Sequence, residues 1–175
     1  SMTATADNNT GVGYVALSAL TSGKENTAVG AYALYDNAST DFNTAVGVSA
    51  GYNTAGSSNT YVGSNSGKGA DGAEANNVGV GASALLAVTT GGSNVAVGMD
   101  ALSKLTTGVE NVSLGSKANN TLTGDSYNVS IGYESSKFTW GGSNVAIGKD
   151  ALLGATFTDD LRIDDISSGT TIIMD

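Results

Sequence analysis

Apolar and small residues return along this chain in a fixed phrase: Asn, then Thr or Val, a mostly small residue, a branched or long aliphatic, and Gly. The nine copies begin at Asn9, Asn26, Asn43, Asn59, Asn77, Asn94, Asn111, Asn128 and Asn144, in steps of 17, 17, 16, 18, 17, 17, 17 and 16 residues. So regular a period predicts a solenoid, in which each copy is one coil that cannot bury its apolar side without its neighbours. Within the phrase, alternation predicts a short strand. The expected inward pairs are Thr27 and Val29, Thr44 and Val46, Val95 and Val97, Val112 and Leu114, Val129 and Ile131, and Val145 and Ile147. On that reading Asn94 and Ala96 face outward.

The glycine closing each phrase, as at Gly30, Gly98 and Gly115, marks a sharp corner or a positive φ. A second apolar group follows, clearest as Ala16, Leu17 and Leu20, Ala84, Leu85 and Val88, and Ala101, Leu102 and Leu105. Only about eight residues separate its turn signals, too few for a self-supporting helix, so each coil is expected to hold two short strands and two corners. The recurring Asn predicts an amide ladder up the stack, and the sequons at Asn111 and Asn128 are by-products of that repeat. Beyond Leu153 the period stops, and Leu161 to Ile163 and Thr170 to Met174 read as two strands around Ser167, Ser168 and Gly169. The expected fold is an all-β parallel β-solenoid (β-roll): residues 1–8 a lead-in whose Ser1 and Met2 look like the remnant of an expression tag, 9–152 the repeat, 153–175 a cap or junction to a further domain.

The third position of the phrase is Gly11, Ala28, Ala45, Tyr61, Gly79, Ala96, Ser113, Ser130 and Ala146, nearly all small. An outward strand face of small side chains allows close approach of another chain. The expectation is therefore a homotrimer with its seam at Ala28, Ala45, Ala96, Ser113, Ser130 and Ala146.

Composition removes several functions. The chain has 175 residues, 25 Gly, no Pro, no Cys and no His, and a net charge of −9. Lys24, Lys68, Lys104, Lys117, Lys137, Lys149 and Arg162 are dispersed, so the positive footprint that nucleic acid requires is missing, and an acidic membrane would repel the chain. No apolar run reaches the ~18 residues of a membrane span. Without His or Cys there is no Ser-His-Asp or Cys-His nucleophile and no imidazole or thiolate metal centre. The segment from Gly63 to Gly69 with Lys68 has the wrong spacing for a phosphate loop. Asp159, Asp160, Asp164 and Asp165 cluster outside the repeat. They read as a solvated acidic cap, with Asp159, Asp160 and Asp164 as candidate oxygen ligands for a cation, and with a paired-carboxylate glycosidase as the remaining chemical alternative. No cofactor is expected. Aromatic residues are the best clue to a binding surface. Tyr14, Tyr32, Tyr35, Tyr52, Tyr61, Tyr127 and Tyr133, with Phe42, Phe138, Trp140 and Phe157, are placed at non-core or corner positions. Phe138, Trp140, Phe157 and Tyr133 are the candidate ligand-binding set, suited to stacking on sugars or to burial at a protein contact.

The phrases NVAVGMDA at Asn94 to Ala101 and NVAIGKDA at Asn144 to Ala151 resemble the head repeats of trimeric autotransporter adhesins. That resemblance covers about residues 9 to 152 and implies a trimeric parallel β-roll at the tip of a bacterial surface fibre that adheres to host molecules. The coil here is longer, with an added Ala-Leu-x-x-Leu segment. Longer phrases such as NTAVGAYAL at Asn26 to Leu34 resemble those of phage tail fibres and related bacterial surface fibres, which commonly precede a self-cleaving chaperone domain. The resemblances imply a non-enzymatic, extracellular adhesin segment that binds a surface glycan or protein. A tail-fibre or tailspike part with depolymerase activity and a pure spacer are the alternatives.

Overall fold

A computed structural model of the chain describes residues 7–69, 73–136 and 141–151, together with the backbone of two strands at 161–165 and 170–174. The strands are β1 (Thr10–Val12), β2 (Thr27–Val29), β3 (Thr44–Val46), β4 (Thr60–Val62), β5 (Val78–Val80), β6 (Val95–Val97), β7 (Val112–Leu114), β8 (Val129–Ile131), β9 (Val145–Ile147), β10 (Leu161–Asp165) and β11 (Thr170–Met174). All lie in one sheet in chain order. The strands β1 to β9 pair in parallel with equivalent residues aligned, so that Ala28 faces Ala45 and Ala96 faces Ser113. The chain is thus an all-β solenoid, one coil per copy of the phrase. Strand β10 continues the parallel stack on β9, and β11 returns antiparallel to it, which gives the two tail strands expected.

The strands face the opposite way from the expectation. Ala28, Ala45, Ala96, Ser113, Ser130 and Ala146 have no exposed surface, whereas Val97 is 38% exposed and Val12 56%. The small third position points into the coil and the flanking Thr, Val, Leu and Ile point out, so none of the six residues assigned to a trimer seam can form one. The reason is width. Seventeen residues enclose little space, and the leucines of the opposite wall already fill it: a Cβ at Gly11 would lie 3.4 Å from Leu17 Cδ1. Only small side chains fit between strand and leucine.

That opposite wall is where Leu17, Leu20, Leu85, Val88, Leu102 and Leu105 are buried, as the sequence indicates. It holds no second strand among the described residues, however; it is a run of turns. Leu17, Leu34, Leu85 and Leu102 sit at φ of 54°, 46°, 52° and 50°. The left-handed region costs an L-residue roughly 1–2 kcal/mol, and cross-coil hydrogen bonding offsets it. In the second coil the Tyr32 N–H donates back to the Tyr14 carbonyl at 2.9 Å and the Leu34 N–H forward to the Ala50 carbonyl at 3.0 Å. Peptides pointing alternately to the coil before and the coil after keep the stack bonded without strand geometry.

The Asn ladder forms, but inside the coil. Asn26, Asn43, Asn59, Asn77, Asn94 and Asn111 have no exposed surface. Each Oδ1 accepts the backbone N–H of the next Asn at 2.8–3.1 Å. From Asn9 to Asn111 each Nδ2 also donates to a carbonyl in the corner that ends its own coil, at 2.8–3.2 Å. A residue that must both accept and donate from one short side chain can only be Asn here; Asp has no N–H to give. This burial also keeps Asn111 and Asn128 from serving as glycosylation acceptors in the folded chain. The Gly column is equally constrained. Gly98 lies at φ 135° and a Cβ there would meet the Gly115 carbonyl at 2.5 Å.

One coil is built differently. Tyr61, expected at a non-core or corner position, is wholly buried in the small-residue column. Its ring occupies space left by Gly67 in its own coil, Gly51 in the coil before and Gly79 in the coil after. Positions 51 and 67 are where Leu34 and Leu85 stand in their own coils, so one aromatic ring replaces two missing leucines.

Candidate interaction surfaces

Two features of the described surface are suited to contact. The first is the outer face of β1 to β9. Its first column is Thr10, Thr27, Thr44, Thr60, Val78, Val95, Val112, Val129 and Val145; its second is Val12, Val29, Val46, Val62, Val80, Val97, Leu114, Ile131 and Ile147. No charge interrupts either column. Parallel sheets are normally covered on both faces, and β-branched side chains are what such covered faces carry. Within one chain this face is half-exposed, with Val46 at 37%; just past the Gly corner Val48 and Met99 extend the apolar surface at 54% and 50% exposed.

The second is a group of tyrosines on the turn wall and adjoining corner of the first three coils. Tyr35 and Tyr52 each follow their Asn by nine residues, so the period sets them in one column, their rings stacked at 4.8 Å and 18°. Tyr32 lies 5.8 Å from Tyr35 and 6.2 Å from Tyr52, and Tyr14 meets Tyr32 edge-on at 5.5 Å and 75°. Lys68, at the same position of the fourth coil, carries its Nζ 5.9 Å from the centre of the Tyr52 ring. Each aromatic contact contributes about 0.5–1.5 kcal/mol beyond buried area, so the column braces three successive coils. Because Tyr35 and Tyr52 cover one another's faces, the group presents edges and hydroxyls, with the Tyr14 ring 69% exposed. Partial burial, then the neighbouring Tyr35, Asp36 and Tyr32, raises the Tyr52 phenol above its ordinary value, so it stays neutral as a hydrogen-bonding group.

Of the four residues expected to bind a ligand, Tyr133 is on the surface, 45% exposed; Phe138, Trp140 and Phe157 lie outside the described residues. Asp159 and Asp160 do too, and of Asp164 only the backbone, in β10, is described. Among the described residues no three acidic groups come together to hold a metal ion, and no helix is long and apolar enough to cross a membrane. The tyrosine group was not singled out from the sequence. The signal for it was present in the spacing of Tyr35, Tyr52 and Lys68.

No family model, curated protein or solved structure matches this chain.

Proposed function

We propose that this chain is a stiff, non-enzymatic module of a surface fibre, bacterial or viral, in which three copies stand side by side and attach to a glycan or protein on another surface. The observation that carries this reading is the uncharged double column of Thr, Val, Leu and Ile on the outer face of a parallel sheet. Water is a poor neighbour for it, and a copy of the same face, repeating at the same ~4.8 Å spacing, suits it in register. Nine coils make a shaft of roughly 40 Å, and unbroken hydrogen bonding from coil to coil keeps it stiff. Three copies would present the tyrosine group three times, so weak contacts made together would hold firmly. The likeness of the repeats to adhesin heads and tail fibres points the same way.

Light scattering on the purified chain tests the assembly: a particle of three times the chain mass is expected, and a monomer across the accessible concentration range overturns the reading. Val46→Glu with Val97→Glu should give a monomer with unchanged far-ultraviolet circular dichroism, since both side chains point out of the coil. Retention on a glycan array should then fall in Tyr14→Ser with Tyr32→Ser while the trimer persists.

A further inference from the structure

The fourth coil, which has the longest step in the repeat, holds an ionisable group in its interior. Glu74 is 1% exposed, and its Oε2 has no hydrogen-bond partner; the equally buried hydroxyl of Tyr61 has the Asn77 side chain beside it. Glu74 stands in the corner leading to Asn77. Its carbonyl accepts from Asn59 Nδ2 at 3.2 Å, and its backbone lies so close to Gly56 of the coil before that no Cβ fits there. At the equivalent place other coils carry Gly91, Gly108 or the half-buried Asp125, where this coil turns a glutamate fully inward.

Few groups act on the carboxyl. The backbone N–H groups of Glu74, Ala55 and Gly56 favour its ionised form, and the phenol of Tyr61 stands near enough to feel its charge. No lysine or arginine among the described residues balances it. Burial outweighs the three N–H groups and pushes the carboxyl up to about 8. Burial and then the Glu74 charge raise Tyr61 as well, so the phenol stays neutral throughout the range in which the acid titrates.

We propose that Glu74 is a proton-operated latch: as a neutral carboxylic acid it stays inside and the fourth coil remains closed on its neighbours, and on losing its proton it leaves the interior and opens the corner at 73–76. The shaft would then have one alkaline-sensitive joint between stretches of leucine-packed coil. This inference does not depend on the fibre reading, since it concerns the coil of a single chain.

Carbon-13 NMR of the Glu74 carboxyl in the intact protein, followed from pH 4 to 10, tests it without any substitution. The resonance should titrate near pH 8. Amide protection at Thr60 and Asn76, which bond across the neighbouring coils at 2.8 and 3.2 Å, should fall by about tenfold per pH unit as the pH rises from the ordinary carboxylate range towards about 8, after correction for base catalysis, and be level beyond, as loss of a single proton on opening requires. Protection at Val95 and Val112 should not change in that step. In Glu74→Gln the loss at Thr60 and Asn76 should vanish. A carboxyl that titrates in the ordinary carboxylate range overturns the proposal, and so does protection in the fourth coil that is the same in both proteins from pH 6 to 10.

Discussion

The coil at residues 94–110 is filled by Leu102 and Leu105 against Ala96, all wholly buried, whereas the coil at 59–76 is filled by Tyr61 against Gly51, Gly67 and Gly79. Both keep the same Asn ladder, Gly corner and strand register. The difference shows that the backbone path belongs to the ladder and corners, while the interior needs only a fixed volume, delivered from either wall. Leucines entering from the turn wall make no polar demands. A tyrosine entering from the strand brings a hydroxyl into the interior, next to a buried acid. The leucine solution can repeat without limit; the tyrosine solution occurs once and makes its coil chemically distinct.

Putting a leucine back where the tyrosine coil lacks one should give the largest effect. A Cβ at Gly67 would lie 2.2 Å from Tyr61 Cε1, so Gly67→Leu should destabilise the chain by about 3 kcal/mol or more. Tyr61→Ala alone should also cost about 3–5 kcal/mol through the cavity. The double change recreates the leucine-packed coil and should recover most of the thermal midpoint; additive losses would show that the two packings are not interchangeable. In the coil that already has its leucine, Leu102→Ala should cost about 2–5 kcal/mol. Hydrogen exchange should place that loss in the coils on either side of residue 102, because a stack of repeats transmits damage mainly to nearest neighbours.

A smaller effect separates strained from relaxed positions on one exposed corner. Glu110 sits at φ 56°, in the left-handed region. Glu110→Gly should raise stability by about 0.5 kcal/mol, the relief of strain less the greater freedom of the unfolded chain. Lys104→Gly, exposed and outside that region, should lower it by about 0.5–1 kcal/mol. A melting point that moves the same way in both would remove the strain argument. The Glu74 carboxyl gives a further contrast with the uncharged coils. Its folded value lies above that of a free carboxyl, so its contribution to stability is fullest at acid pH, declines as pH rises from the ordinary carboxylate range towards about 8, and is level beyond. The melting difference between the native chain and Glu74→Gln should follow that course.

Much of this was legible from residues alone. Asn94, Val95, Ala96, Val97 and Gly98 announce a short strand and its corner, and Ala101, Leu102 and Leu105 announce a buried opposite wall. Two points were not. The turn wall hides its conformation because leucine at φ near 50° is something no propensity would propose; neighbouring coils hold it there through Leu34 to Ala50 and its equivalents. The outward valines were misassigned because alternation shows that Val97 and Ala96 face opposite ways, not which of them faces in.

Period, coil number, the sites of the corners and the Asn ladder are all properties of spacing and residue type, and spacing is written in the chain. Which parity of each strand enters the core depends on how much room is left once Leu102 and its equivalents have come in from the other side. That room is a property of the closed coil. It admits alanine and serine, turns valine and isoleucine outward, and so leaves the apolar columns on the surface of the chain.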